Sequence, residues 1–234
     1  DYEKIKQEIG VDHFYMINDL EATAYSLHNV DLANVHVVYK GNQNQEGNVA
    51  ILAPGNGLGE SGLYWDGAAL RPFATEGGHS EFAPRTDREV DFYQFLKKIY
   101  GIVSWETVLS KGGMFNIYRF LRDVGRHDGC PQVNNRELDE QFIDQLKSCA
   151  LENSYDICKI TLDTFIEFMA REANSLVLKL KATGGLVLTG EIPLKVKELL
   201  DEQKFYKNFV ISDKMERLLK DIPIYLLKDE YSII

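Results

Sequence analysis

Hydrophobic and polar positions follow two different periods along the chain. Short aliphatic and β-branched runs, typical of strands, alternate with longer segments whose apolar residues recur every three or four positions, as in amphipathic helices. The short runs predict strands at residues 13–17, 35–39, 49–52, 186–189 and 222–227, with a tight hairpin around Asp66-Gly67. The longer segments predict helices at residues 1–9, 87–100, 105–109, 114–124, 137–152 and 155–181. Strands that alternate with helices, together with a helical block, indicate an α/β protein.

Glycines cluster where one of these predicted strands ends. The run Val49-Ala50-Ile51-Leu52 leads into Gly55-Asn56-Gly57-Leu58-Gly59. A Gly-x-Gly-x-Gly turn lets a ligand approach the backbone closely and leaves N–H groups for an anion. Taken alone the pattern is weak, because glycine loops at strand ends are more often tight turns than phosphate sites.

A second polar cluster follows at Glu76-Gly77-Gly78-His79. A Glu and a His separated by two glycines can both reach one small hydroxylated ligand, although the ordinary alternative for the His is a core residue. Upstream, Asn18 and Asp19 stand between a predicted strand and a predicted helix, where either could simply be a helix N-cap. Glu106 lies in the first turn of a helix that Ser104 caps, and an acid there also suits the helix dipole.

Composition narrows the class of protein. The 234 residues are enough for one large domain or two small ones, and 44% hydrophobic with 26% charged residues is ordinary for a globular protein. A net charge of −10 disfavours nucleic acid or an anionic membrane as a partner. No apolar run approaches the length of a membrane span, and there is no signal-peptide pattern.

The chain has three cysteines, Cys130, Cys149 and Cys158. Their spacing resembles neither a zinc site nor a disulfide framework. We therefore expect three unpaired, small, buried apolar residues in a protein of the reducing cytoplasm.

Five motifs in this order resemble bacterial-type glucokinase, a family of the hexokinase/actin-like ATPase superfamily. The order is specific although no single motif is, and the resemblance extends from about Ile17 to Leu227. The motifs are Ile17-Asn18-Asp19-Leu20-Glu21-Ala22, Gly55-Asn56-Gly57-Leu58-Gly59, Glu76-Gly77-Gly78-His79 with Glu81-Phe82-Ala83-Pro84, Val103 to Ser110 with Gly113, Asn116 and Tyr118, and Gly185 to Gly190.

The resemblance implies a ribonuclease-H-like fold of the actin/hexokinase type, with a mixed sheet and a helical block in a large domain. Residues 1–29 would be the remnant of a small domain and the hinge, residues 30–227 the large domain, and residues 228–234 the start of the return to the small domain. Sugar and ATP would meet in the cleft between the domains, which closes on binding. Members of the family are commonly homodimers.

The resemblance also implies a reaction: transfer of the γ-phosphate of ATP to the 6-hydroxyl of D-glucose in glycolysis, with Mg²⁺. Asp19 would be the general base that accepts the proton of that hydroxyl. No residue is expected as a metal ligand. The implied sugar-binding residues are Asn18, Glu76, His79 and Glu106, and the implied nucleotide-binding residues are Gly55, Asn56 and Gly57 at the phosphates and Gly190 at the adenine.

The chain departs from the family pattern in ways that keep alternatives open. Asn56 replaces the usual Thr, and Glu191 stands where a second glycine is common. The Asp-x-Gly-Gly-Thr phosphate motif is absent from the printed sequence, so we expect the chain to start after the opening strands of the small domain and to have little kinase activity by itself. A non-catalytic hexose-binding or regulatory module, and a kinase for another hexose, are the alternative functions.

Overall fold

A computed structural model describes residues 2–11, 13, 17, 19–27, 35–134, 141–152, 155–200 and 202–228. Six strands form a single mixed sheet in the order β1-β6-β5-β2-β3-β4. The strands are β1 (Val35–Tyr39), β2 (Val49–Pro54), β3 (Leu58–Trp65), β4 (Leu70–Ala74), β5 (Gly185–Leu188) and β6 (Ile224–Leu227).

The described helices fall around one long central helix. They are α1 (Tyr2–Ile9), α2 (Asp19–Ser26), α3 (Asp87–Tyr100), α4 (Trp105–Val108), α5 (Lys111–Asp123), α6 (Pro131–Asn134), α7 (Phe142–Leu151), α8 (Asp156–Leu180), α9 (Glu191–Lys195), α10 (Lys207–Phe209) and α11 (Glu216–Lys220). Short 3₁₀ turns occupy Gly77–His79 and Lys197–Leu199, and a π-helical turn occupies Glu202–Tyr206. Within the described part of the chain, no helix combines the length and hydrophobicity that crossing a bilayer requires.

Parallel pairing at the centre of the sheet sets the position of two loops. β2 pairs in parallel with β5, which pairs in parallel with β6, and the remaining neighbours are antiparallel. The register places Leu52 of β2 opposite Leu188 of β5. Because parallel strands end at the same edge of a sheet, the glycine loop after β2 and the loop around Gly190 after β5 lie side by side.

Both faces of strand β2 are covered by other parts of the protein, which explains its uninterrupted apolar sequence. Leu52 belongs to the larger hydrophobic core, into which the 25-residue helix α8 packs against β2, β5, α5 and α7. Its neighbour Ile51 points to the opposite face, where Ala24 of α2 completes a smaller cluster. The side chains at positions 51 and 52 are fully buried, each on its own face of the sheet.

Local signals set most helix ends where the sequence predicts them. α3 ends at Gly101, whose φ of 78° suits glycine, and α4 begins after the capping box formed by Ser104 and Thr107. The predicted start of α5 at Met114 is wrong, because the helix begins at Lys111. The Ser110 hydroxyl caps it by accepting from the N–H of Gly113, so this glycine lies inside the first turn.

Two further predictions need correction or fall outside the described residues. The sequence pattern predicts no element between the helices at 114–124 and 137–152, but Pro131–Asn134 forms α6. The predicted strand at 13–17 lies outside the described residues except for His13 and Ile17, which belong to no strand. The predicted start of a helix at 137 also lies outside them, and α7 is described from Phe142.

The cysteines are buried as expected, but the expectation that all three are unpaired is wrong. Cys149 and Cys158 form a disulfide with their Cα atoms 6.0 Å apart, while Cys130 remains a buried free thiol. Cys149 lies in the last turn of α7 and Cys158 in the first turn of α8, and the packing of these two helices against each other brings the two sulfur atoms together. Sequence spacing alone does not reveal such a helical hairpin.

Candidate active site

The predicted site residues converge on one cavity of about 440 Å³ at the edge of the sheet where β2 and β5 end. The lining includes Gly55, Asn56, Gly57, Glu76, His79, Glu106 and Gly190. Asn18 lies outside the described residues. Asp19 is described as the first residue of α2, without its side chain, and Leu20 and Thr23 of the same helix line the cavity. The structure therefore brings together all the predicted site residues whose side chains it describes.

Hydrogen bonds fix the glycine loop Gly55–Gly59, one within the loop and one to the start of α5. The N–H of Gly55 donates to the carbonyl of Gly57 at 2.8 Å, and the carbonyl of Gly55 accepts from the N–H of Lys111 at the start of α5 at 2.8 Å. Among the described residues, no acceptor within the protein contacts the N–H groups of Asn56 and Gly57. Asn56 is also exposed at the tip of the loop. These two N–H groups are available to an anion, as the glycine pattern predicts.

Glu106 connects the helix α4 to the glycine loop. Its Oε2 accepts a hydrogen bond from the N–H of Leu58 at 3.0 Å. A Cβ atom added to Gly57 would lie 2.6 Å from the same carboxylate oxygen, so a side chain at this position would have to displace Glu106. The capping box fixes the first turn of α4 and thereby the direction of the Glu106 side chain.

Glu76 and His79 lie at the two ends of a 3₁₀ turn. The N–H of His79 donates to the carbonyl of Glu76 at 3.1 Å, and His79 Nε2 lies 3.9 Å from Glu76 Oε2. Their side chains are 86% exposed for Glu76 and 63% for His79, so both can contact a ligand in the cavity. Gly78 is buried against the carbonyl oxygen of Leu58, where any side chain would collide.

The turn is also anchored to α4. The carbonyl of Ser80 accepts from the N–H of Trp105 at 2.9 Å, and the N–H of Phe82 donates to the carbonyl of Val103 at 3.0 Å. A single bridge between Glu81 and Ser104 belongs to the same contact. The two groups of predicted sugar-binding residues, on the turn and on α4, are therefore parts of one rigid unit.

Gly190, in the loop after β5, also lines the cavity. Its φ is 88°, and an added Cβ would lie 2.8 Å from the carbonyl oxygen of Pro54, so both the backbone and the space require glycine. The following Glu191 also lines the cavity. Its Oε1 lies 3.0 Å from Lys195 Nζ, and this ammonium also contacts Asp144. The charge introduced by Glu191 is thus paired within the protein.

The sequence-based prediction assigned no role to four polar residues that line the cavity: Thr23, Glu60, Thr75 and Thr189. Glu60 is the most informative because it is a carboxylic acid only 3% exposed to solvent, in the interior of a strand. The available signal was its position directly after the Gly55–Gly59 loop, as the one acid within β3. A buried acid in a strand without a local partner is unusual unless the fold supplies one.

Comparison with known proteins gives one consistent result. A family model described as Glucokinase matches residues 1–233. The chain is 32% identical to the glucokinase of Nostoc punctiforme over 240 residues, which covers 97% of this chain and 70% of that protein. It is also 32% identical to the glucokinase of Saccharophagus degradans over 228 residues, covering 97% of this chain and 68% of that protein.

Solved structures agree with the fold. A glucokinase from an Antarctic psychrotroph superposes with a TM-score of 0.82 at 26% identity, covering 98% of this chain and 68% of the other. The Balamuthia mandrillaris glucokinase, solved in complex with glucose, superposes with a TM-score of 0.75 at 18% identity, covering 92% and 62%. The latter identity shows a shared fold alone. The predicted α/β fold of the actin/hexokinase type is confirmed.

Proposed function

The chain belongs to the glucokinase family, and from this premise we propose that its cavity binds D-glucose and presents the 6-hydroxyl to the γ-phosphate of ATP. Membership of the family makes the chain an ATP-dependent glucose kinase, which produces ADP and glucose 6-phosphate, a reaction of glycolysis. The observation that carries the proposal is the convergence of the glycine loop, the Glu76–His79 turn and Glu106 on one cavity at the end of two parallel strands.

We assign the sugar to Glu76, His79 and Glu106, with Asn18 as a further contact. Two exposed polar side chains on one short turn can each bind neighbouring hydroxyl groups, and a carboxylate can accept from two hydroxyls at once. Glu106 is held by Leu58, so its position does not depend on the ligand. An epimer with one hydroxyl reversed would leave buried polar groups unpaired, which is the basis for discrimination among hexoses.

We assign the general base to Asp19. The supporting observation is that Leu20 and Thr23, on the same helix α2, line the cavity that Glu76 and His79 face. A carboxylate at the start of a helix is a rigid place from which to accept the proton of the attacking hydroxyl. Phosphoryl transfer depends mainly on such positioning and on stabilisation of charge.

The nucleotide is assigned to the part of the same cavity that the loops after β2 and β5 form. The N–H groups of Asn56 and Gly57 can donate hydrogen bonds to phosphate oxygens. Gly190 has no side chain, so the adenine can approach the backbone there closely. The cavity lining carries hydroxyl and carboxylate oxygens, the ligand type that Mg²⁺ prefers, and Mg²⁺ would be held together with the ATP phosphates. When bound, Mg²⁺ supplies neutralisation of the negative charge on those phosphates.

Domain division, assembly and location are also proposals. Residues 1–29 would belong to the small domain and hinge, residues 30–227 to the large domain and residues 228–234 to the return, with two chains forming a homodimer. The use of ATP supports a cytoplasmic location. The Cys149–Cys158 disulfide is the observation that opposes a reducing compartment.

Calorimetric titration with D-glucose tests the sugar site, with galactose and mannose as competing ligands. Wild type is compared with His79→Ala and with His36→Ala, an exposed histidine on β1 that serves as the matched control. We expect glucose-selective binding that is lost in His79→Ala and retained in His36→Ala. No binding of any hexose, or equal loss in both variants, would contradict the assignment.

A coupled assay for glucose 6-phosphate then tests the reaction on the same protein. The expected result is formation of the product from glucose and ATP at a low rate, as expected of this chain without the Asp-x-Gly-Gly-Thr motif, and at a still lower rate in Asp19→Asn. Glucose binding without any transfer from ATP would contradict the kinase assignment for this chain and favour a hexose-binding regulatory module. Faster turnover of mannose or glucosamine would assign the chain to another hexose.

A further inference from the structure

Glu60 is buried next to Gly77, in the turn Glu76–His79 that carries two of the proposed sugar-binding residues and is called the sugar-binding turn below. It pairs with Leu52 across the sheet and points to the same side, toward the core that α8 fills. Only 3% of it is exposed, and neither of its carboxyl oxygens has a hydrogen-bond partner among the described residues. Because an unpaired buried carboxylate costs several kcal/mol, such a group needs a compensating interaction.

The compensating group is a second carboxyl on α8. Glu172 is completely buried, its Oε2 also lacks a partner within the described part of the chain, and its Oε1 lies 3.4 Å from Lys179 Nζ. Burial, followed by the charge of Glu60, raises the pKa of Glu172 to about 8. Burial also raises the pKa of Glu60. These raised pKa values favour one proton shared between the two carboxyl groups at neutral pH, which would supply the hydrogen bond that Glu60 and the Oε2 of Glu172 lack.

Glu60 contacts the turn through both its side chain and its backbone. An added Cβ at Gly77 would overlap Glu60 Oε2, so the carboxyl group fills the space beneath this glycine. The Thr75 hydroxyl donates to the carbonyl of Glu60 at 3.0 Å and accepts from the N–H of Gly77 at 3.2 Å. Gly77 lies between Glu76 and His79, so support at this one residue acts on both.

We propose that Glu60 is a positioning residue for the sugar: its carboxyl group supports the backbone at Gly77 from below and so holds Glu76 and His79 at the cavity. The inference rests on the proposed function of that cavity as a glucose site. Glu60 acts through the turn, and the sugar contacts remain those of the residues above it. Its partner Glu172 holds the carboxyl in place from the side of α8.

The arrangement gives the site a specific pH dependence. Among the described residues, Glu172 and Lys179 of α8 interact with Glu60, and the titratable groups that line the same cavity are Glu76, His79, Glu106 and Glu191. As the pH rises through the pKa of Glu172, the shared proton is lost and two adjacent carboxylates repel each other in the interior. The repulsion pushes Glu60 against the turn, so glucose affinity falls above about pH 8.

The dissociation constant for D-glucose, measured calorimetrically between pH 6 and 9, tests this with Glu60→Gln and Glu60→Ala. A glutamine keeps the size of the side chain and donates the hydrogen bond permanently, so we expect affinity close to wild type at pH 7 and no loss toward pH 9. Removal of the side chain in Glu60→Ala should weaken binding about ten- to a hundred-fold at every pH, as misplacement of a binding group by about 1 Å does. Glu216→Gln, on the surface of α11, is the matched control.

A second-site variant separates positioning from general stability. Gly77→Ala places a methyl group where Glu60 Oε2 lies, and should weaken glucose binding several-fold. In the double variant Glu60→Ala with Gly77→Ala the methyl group fills the vacated space, so we expect tighter glucose binding than in either single variant. A loss of stability alone would not produce this rescue.

The outcomes distinguish the two proposals. Absence of glucose binding by wild type overturns the proposed function, and the inference with it. If wild type binds glucose, the inference alone is overturned when Glu60→Ala binds glucose as tightly as wild type. It is also overturned when the glucose affinity of Glu60→Gln keeps the wild-type pH profile. If Glu60→Ala fails to fold, the pH profile of Glu60→Gln decides.

Discussion

The Glu106 carboxylate accepts a hydrogen bond from the backbone N–H of Leu58 at 3.0 Å, across 48 positions of sequence. Leu58 directly follows the glycine loop assigned to the phosphates, whereas Glu106 is assigned to the sugar. Displacement of one of these groups therefore displaces the other. Under the proposed assignments, the link between the two residues holds the acceptor and donor substrates in a fixed relation, on which phosphoryl transfer depends.

Substitution of Glu106 is expected to affect both substrates. In Glu106→Ala the sugar loses a contact and the Leu58 N–H loses its acceptor, so we expect KM for glucose to rise about a hundred-fold and KM for ATP to rise several-fold. Glu106→Gln keeps an acceptor oxygen and should leave KM for ATP near wild type. Steady-state kinetics with each substrate varied in turn provide the measurement. An unchanged KM for ATP in Glu106→Ala would show that the link is not used.

Asp19→Asn is expected to remove the base without removing the sugar site. We expect kcat to fall about 10²- to 10⁴-fold, the usual contribution of a general base, with glucose affinity within a few-fold of wild type. Calorimetry and the coupled assay on the same preparation separate the two effects. Asp87→Asn, at the first turn of α3, is a control that should keep full activity. Retained activity in Asp19→Asn would assign the base elsewhere.

Arg171 anchors the segment that follows the sugar-binding turn. Its Nη1 donates to Glu89 Oε2 at 2.6 Å and its Nη2 to the carbonyl of Ala83 at 2.7 Å, while its guanidinium lies 5.3 Å from the Phe168 ring centroid. Arg171→Met leaves the buried Glu89 without its cation, which costs about 3–5 kcal/mol. Urea denaturation measures the loss.

The double variant of Arg171→Met with Glu89→Gln is the control for this buried pair. It removes both charges, so it should recover part of the stability that Arg171→Met loses. Equal stability of the single and double variants would mean that the unpaired charge of Glu89 is not the cause.

The raised pKa of Glu172 predicts how stability changes with pH. Its pKa is about 8 in the folded state against the ordinary 4.5, so between these values the folded state binds more protons than the unfolded state. The free energy of unfolding should therefore decrease as the pH rises from 5 to 8, by about 1 kcal/mol per pH unit from this group. Urea denaturation at each pH gives the slope. Glu172→Gln should have a shallower slope, and equal slopes would rule out this carboxyl as the source.

The Cys149–Cys158 disulfide should stabilise the folded chain by restricting the unfolded one. For a loop of this length the expected contribution is about 2–3 kcal/mol. We expect a reductant to lower the free energy of unfolding of wild type by that amount and to leave Cys158→Ala unchanged. Cys130→Ala retains the disulfide, so it should respond to reductant as wild type does. A wild-type stability that is insensitive to reductant would contradict this role.

The sequence by itself determined many of the helix ends and loops, and it identified several of the residues that line the cavity. Capping by Ser104, the helix end at Gly101 and the glycine runs are signals that act within a few residues, so they are legible without the fold. The family motifs likewise identified Glu76, His79 and Glu106, which line one cavity. Asn18 and the Asp19 side chain, outside the described residues, remain predictions.

Only the tertiary structure decided which distant side chains meet. The disulfide between Cys149 and Cys158 required α7 to pack against α8, and the pairing of Glu60 with Glu172 required α8 to pack against the sheet. No local pattern encodes either contact, because each partner is chosen by the packing of whole elements. A buried acid is tolerable only where such packing provides a partner, and for this reason Glu60 was not identifiable as part of the site before the fold was known.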